Sequence, residues 1–161
     1  MKRLIRKAST NLYHGTCVEY LRNITNDGVL TPNASQGAGK NRNRDGSQFG
    51  GFVFLATTPE VALNFANYIP PQQTEAHVVI EMILDEANLL PDNDDDPNST
   101  TWQESAASVQ QVKIDGEVQT GVFSQVYFYD RDTSELMFQS DFASWMQVYE
   151  NNRQQFDLEI E

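Results

Sequence analysis

An α+β fold in a single compact domain is predicted for this 161-residue chain by three observations. Two short apolar runs, Leu12 to Thr16 and Gly51 to Thr57, each read as a strand feeding a well-started helix. A third run, 77–84, alternates Val78, Ile80, Met82 and Leu84 with His77, Val79, Glu81 and Ile83, the pattern of a long strand with one buried face. Strands outnumber helices, and the helices cluster after the early strands. The length suits one core that buries roughly two-thirds of the surface the unfolded chain exposes.

The first run places His14 at the end of an apolar strand. Gly15 follows, whose backbone can approach a ligand closely, and then Thr16 as an expected N-cap. Thr16 and Glu19 have capping-box spacing, Val18, Leu21 and Ile24 recur at helical intervals, and Gly28 is the expected stop. In the second run Phe52, Val53, Phe54 and Leu55 form a buried-type strand. Thr58-Pro59-Glu60 then opens a helix whose apolar stripe is Val61, Ala62, Phe65 and Ala66. Helix starts beside strand ends offer N–H groups to an anion, so the two runs describe a split small-ligand site.

Further along, Leu89-Leu90-Pro91 ends a short turn, and 112–120 reads as a hairpin around Asp115-Gly116. Residues 126–129 form an aromatic-rich strand. Asp141 caps a last helix with Phe142, Trp145, Met146 and Tyr149 on one face, a core stripe rather than a cofactor box. The segment Asp92 to Pro97 begins like a calcium loop, but Pro97 occupies the sharp-turn glycine position and Gln103 the twelfth, so 91–100 is expected to be a solvated acidic loop. Two histidines and one cysteine give no zinc-spaced set, and no metal is expected.

The net charge of −12 argues against broad nucleic-acid binding, yet it is unevenly spread. Residues 1–44 hold eight of the eleven Lys and Arg but two of the 23 acids. The basic N-terminal arm, 1–9, resembles the start of a signal peptide without the apolar stretch that must follow, and no segment is apolar enough to span a bilayer. Cys17 has no disulfide partner and is expected to pack in the first helix; a reducing, cytoplasmic location fits. The triplets at Asn23, Asn33 and Asn98 are then accidental glycosylation matches. The connection 31–50 carries Lys40, Arg42 and Arg44, and it reads either as a solvated loop or as a flap whose cations approach a pyrophosphate. The tail 154–161 is acidic.

Leu12-Tyr13-His14-Gly15-Thr16, then Val53-Phe54-Leu55-Ala56 leading into a helix, then Gln125-Val126-Tyr127-Phe128-Tyr129-Asp130, resembles the three-part signature of the ADP-ribosyltransferase superfamily, in the branch of diphtheria toxin and the poly(ADP-ribose) polymerases. The resemblance implies a split, mainly antiparallel β core flanked by helices, NAD as substrate, and transfer of one ADP-ribose to an unidentified protein or nucleic-acid acceptor. It also implies that His14 bonds a ribose hydroxyl, that the Gly15 backbone holds the carboxamide, and that Phe54 stacks on nicotinamide where the family usually has tyrosine. Thr16, Arg42 and Arg44 join these as expected NAD contacts.

Gln125 stands at the family's catalytic glutamate. A carboxylate about 4 Å from an oxocarbenium-like centre contributes on the order of 4 kcal/mol, so a neutral amide forfeits up to about a thousandfold in rate. Three readings stay open: an amide-tolerant mono-ADP-ribosyltransferase, in which Gln125→Glu preserves or raises turnover; an enzyme whose acid is elsewhere, Glu117 or Asp130; and a scaffold that binds NAD without reacting it. An RNA 2′-phosphotransferase-like enzyme and an acidic decoy that docks on a basic partner are the alternatives outside these.

Overall fold

The computed structural model describes residues 8–32, 51–69 and 71–160; the side chains of 71 and 152–160 fall outside that description, as do the arm 1–7 and the segment 33–50 with Lys40, Arg42 and Arg44. Nine strands and four helices follow one another in the chain among the described residues. They are β1 (Ser9–Cys17), α1 (Val18–Asp27), β2 (Val29–Leu30), β3 (Phe52–Ala56), α2 (Pro59–Ala66), β4 (Ala76–Asp85) and β5 (Leu89–Pro91). The second half adds α3 (Trp102–Val109), β6 (Gln111–Asp115), β7 (Val118–Gln119), β8 (Phe123–Asp130), β9 (Leu136–Asp141) and α4 (Phe142–Ile160). Seven strands form one antiparallel sheet in the order β5-β6-β3-β1-β4-β8-β9, and β2 pairs with β7 apart from it.

The sheet is split as expected. Strand β1 is zipped to β4 along its whole length, from Ser9↔Asp85 to Cys17↔His77, and β3 to β6 from Phe52↔Asp115 to Ala56↔Gln111. Between those blocks, β1 and β3 share the single pair Tyr13↔Ala56. Beyond it, the C-terminal half of β1 and the N-terminal half of β3 part.

One face carries the main core, in which Leu12, Val53, Leu55, Ile80, Met82, Val112 and Val126 pack with Leu21 and Ile24 of α1 and Phe142 of α4. Leu21 and Ile24 each stabilise the fold by about 1.5–3 kcal/mol through burial. On the other face α2 lays Ala62 against Val79 and Ala56. Only the small members of its expected stripe are buried; Phe65 is 36% exposed, because the helix lies too close to the sheet for a large ring between them.

Several local expectations are corrected. Strand β1 continues through Thr16, and Cys17 becomes the boundary residue of α1 without a side-chain cap. Glu19 does not reach back to a capping box; its carboxylate accepts from Thr74 Oγ1 (2.6 Å) and the Glu75 N–H (2.9 Å), tying α1 to the lead-in of β4. Gly28 does end α1, in the left-handed region (φ 76°), with its N–H on Ile24 O. The expected hairpin at 112–120 is not one, since β6 joins the main sheet and β7 pairs with β2. The segment Leu89–Pro91 is an edge strand, where the missing proline N–H costs little. The 91–100 loop is not wholly solvated: Asp92 is buried, its carboxylate accepts from the Asp94 and Asp95 N–H groups, and burial raises its pKa. Asp141 caps α4 through the Ser144 N–H (2.8 Å), although Met146 on the expected stripe is 37% exposed.

Candidate functional site

The two motif strands meet where the sheet parts. His14 Nδ1 donates to the Phe54 carbonyl across 3.1 Å, a bond between residues forty apart in sequence. A carbonyl can only accept, so in the neutral ring Nδ1 carries the proton and Nε2 is left as an acceptor. Burial holds the imidazole below its ordinary pKa, against the smaller opposing effect of the Phe54 bond. The ring is therefore neutral at pH 7, matched to a ligand hydroxyl rather than to an anion.

This lowered pKa has a consequence for stability. The unfolded chain takes up a proton near pH 6.5 while the folded chain resists it, so acid favours the unfolded state. Stability should fall as the pH drops through 6.5 and stop responding to His14 below its folded pKa. We expect the Tm advantage of wild type over a His14→Asn variant to shrink between pH 7.5 and 5; a constant difference would show that His14 is not held neutral.

Gly15 is needed on the face beneath α2. A Cβ there would lie 1.8 Å from the Ala62 carbonyl oxygen, so the missing side chain is what lets α2 close on the sheet. Thr16 is 5% exposed. Phe54 is half-buried on the same face as Ala56, with Lys113 of β6 as its cross-strand partner.

Gln125 is not brought to this place. It lies on β8, separated from β1 by β4, and its register partners are Glu81 and Asp141. His14 pairs with Ile80, which pairs with Val126, so strand alternation puts His14 and Gln125 on opposite faces. A Gln125→Glu substitution would set a third carboxylate between two others at about 0.2–1 kcal/mol per like-charged pair, so raised turnover is no longer its expected result. The alternative acids are also elsewhere: Asp130 Oδ1 accepts from the Asp132 and Thr133 N–H groups in a turn, and Glu117 is exposed between β6 and β7.

A half-buried acid that the sequence reading did not single out is Glu81, on the same face as Gln125 and opposite to His14. Its carboxylate accepts from Tyr127 Oη (3.0 Å) and Ser124 Oγ (3.0 Å), and Tyr13 and Gln125 are its neighbours on either side. Burial and then this carboxylate raise the Tyr13 phenol and push that of Tyr127 up to about 12. The alternation at 77–84 hid it, because it placed Glu81 on the outward face, whereas the flanking strands and α2 half-bury that face as well. Cys17 is fully buried, and its thiol, pushed up to about 11 chiefly by burial, is not a nucleophile at neutral pH.

No family model matches the chain, and no curated protein does either. Among solved structures, the chain is similar to one named EcPltA, with a TM-score of 0.49 and 14% identity over 84% of each chain. Among the described residues, no group of three or more His, Cys, Asp or Glu could hold a metal, and no helix is long and apolar enough to cross a membrane.

Proposed function

We propose that this chain binds NAD where β1 and β3 part, and that it moves one ADP-ribose to an acceptor with release of nicotinamide. The observation that carries this reading is the His14–Phe54 bond, which joins the two motif strands at the break in the sheet. A neutral imidazole with Nε2 as acceptor suits a ribose hydroxyl, and the Phe54 ring suits the nicotinamide face. Catalysis in such a site is dissociative: the ligand is clamped, the glycosidic bond breaks, and a nucleophile attacks the cation.

The distance of Gln125 from His14, and its neutral amide, favour a second reading in which NAD is bound and not turned over. Both readings are tested by incubating the protein with adenylate-labelled NAD, alone and with a cell lysate, following nicotinamide and label together. Nicotinamide release with label in a macromolecule is the expected result. Saturable binding without release would select the second reading, and neither signal would overturn both.

A further inference from the structure

We infer that Glu81 and the tyrosines around it form a cation-binding site on the α2 face of the sheet, and that this site takes a guanidinium group. It lies on the opposite face from His14 and does not rest on the NAD reading. Glu81 stands mid-sheet, in a row that runs Tyr13, Glu81, Gln125, Asp141 across β1, β4, β8 and β9. A half-buried carboxylate ordinarily has a cation beside it, because a charge withdrawn from water without a partner is costly. None of the described cationic side chains reaches Glu81. Arg22 and Arg131 pair with Glu75 (3.9 Å) and Asp132 (3.7 Å), and the Lys113 ammonium lies over the Phe52 ring, 4.1 Å from its centroid.

What surrounds the carboxylate is neutral and hydroxylic. Tyr127 Oη donates to its Oε1 and Ser124 Oγ to its Oε2, each across 3.0 Å. The serine contact depends on a β-bulge: Glu81 pairs with Gln125 but Met82 with Phe123, which leaves Ser124 as an extra residue in β8. Two consecutive polar side chains, Ser124 and Gln125, are thereby set beside one carboxylate, at the expense of regular ladder bonds. The two hydroxyls occupy one acceptor position on each carboxylate oxygen and leave one on each. Paired positions of that kind suit the planar fork of a guanidinium, with two N–H donors side by side, better than the point charge of an ammonium. Tyr13, Tyr127 and Tyr129 are half-buried and gathered on this face, and their rings offer the aromatic surface on which a guanidinium stacks. More negative charge stands at the margins. Burial and then Glu60 of α2 raise the Tyr129 phenol, which places that carboxylate close by, and Asp141 lies two strands from Glu81, about 10 Å at ordinary spacing. The field over this face therefore favours a cation.

The test is an NMR titration of wild type, Glu81→Gln and Glu117→Gln with three probes: acetyl-arginine amide, acetyl-lysine amide and the tripeptide Gly-Arg-Gly. Glutamine is close to isosteric with glutamate and can still accept from a hydroxyl, so the variant is expected to fold; its circular dichroism melt checks this. The arginine probe should shift the resonances of Tyr13, Gln125 and Tyr127, and Glu81→Gln should weaken its binding at least tenfold. Glu117→Gln removes the same charge from an exposed position between β6 and β7 and should leave the affinity unchanged. The lysine probe should bind at least threefold more weakly than the arginine probe. Tighter binding of the tripeptide would identify the ligand as an arginine of a partner chain, and equal binding a small guanidinium compound; both keep the site. No binding of either arginine probe to wild type, no loss in a folded Glu81→Gln, equal losses in the two variants, or equal affinity for lysine and arginine would overturn the assignment.

Discussion

Gly15→Ala should lower the melting temperature by about 6–12 °C, the equivalent of roughly 3 kcal/mol in a chain of this size. The added Cβ would lie 1.8 Å from the Ala62 carbonyl oxygen, 2.7 Å from its carbon and 3.0 Å from the Ala66 nitrogen. All three atoms are backbone, so no rotamer change relieves the clash, and α2 has to lift from the sheet. Lifting it uncovers Ala62, Ala66 and Val79, each fully buried. Gly15 has no left-handed φ, so the cost is steric and not conformational. Thermal unfolding followed by circular dichroism measures it directly. A shift of less than about 2 °C would mean that α2 does not sit on β1 this closely. The same substitution should also weaken any ligand held at Phe54, because α2 is the direct continuation of β3.

The parts of this fold legible in the sequence were those where a local signal and the tertiary contact agree. Gly28 stops α1, Pro59 starts α2, and the 77–84 alternation marks β4, because each is decided within a few residues. What was not legible depended on partners distant in sequence. Asp115-Gly116 looks like a hairpin turn, and Gly116 does take a positive φ of 79°, but its N–H goes to the Gly51 carbonyl (2.9 Å) rather than closing β6 on β7. Helix α3 had a usable signal that went unread: Thr101 and Glu104 form a capping box, with the Thr101 hydroxyl accepting from the Glu104 N–H. Strand β9 had none, since all but one of its six residues are exposed and no buried face imposes a period.

Sequence order put the strands of His14 and Phe54 side by side, where the structure joins them by the bond from the His14 ring to the Phe54 carbonyl, and added Gln125 on the strength of flanking aromatics. Those aromatics have another cause. Phe128 packs in the main core, while Tyr127 and Tyr129 half-bury the α2 face around Glu81. A strand buried on both sides is aromatic whatever its third residue does, so the pattern carried little information about Gln125.

His14→Ala should reduce NAD affinity at least thirtyfold while leaving a folded protein. Two interactions go with the ring. The first is the acceptor at Nε2, whose loss strands a ligand hydroxyl in a half-buried place and costs about 1–3 kcal/mol. The second is the Nδ1 bond to the Phe54 carbonyl, the polar link that bridges β1 and β3 past their one register pair. Losing it frees the two strands to part further and shifts Phe54 as well, so the binding loss should exceed that of Phe54→Ala alone. The two substitutions should also be non-additive, because the histidine acts partly through Phe54. Calorimetric titration of NAD into wild type, both single variants and the double variant measures this coupling. Unchanged affinity in His14→Ala, with the fold intact, would remove the parting of β1 and β3 as the ligand site. Strict additivity would keep the site there and break the mechanical link between the two motifs.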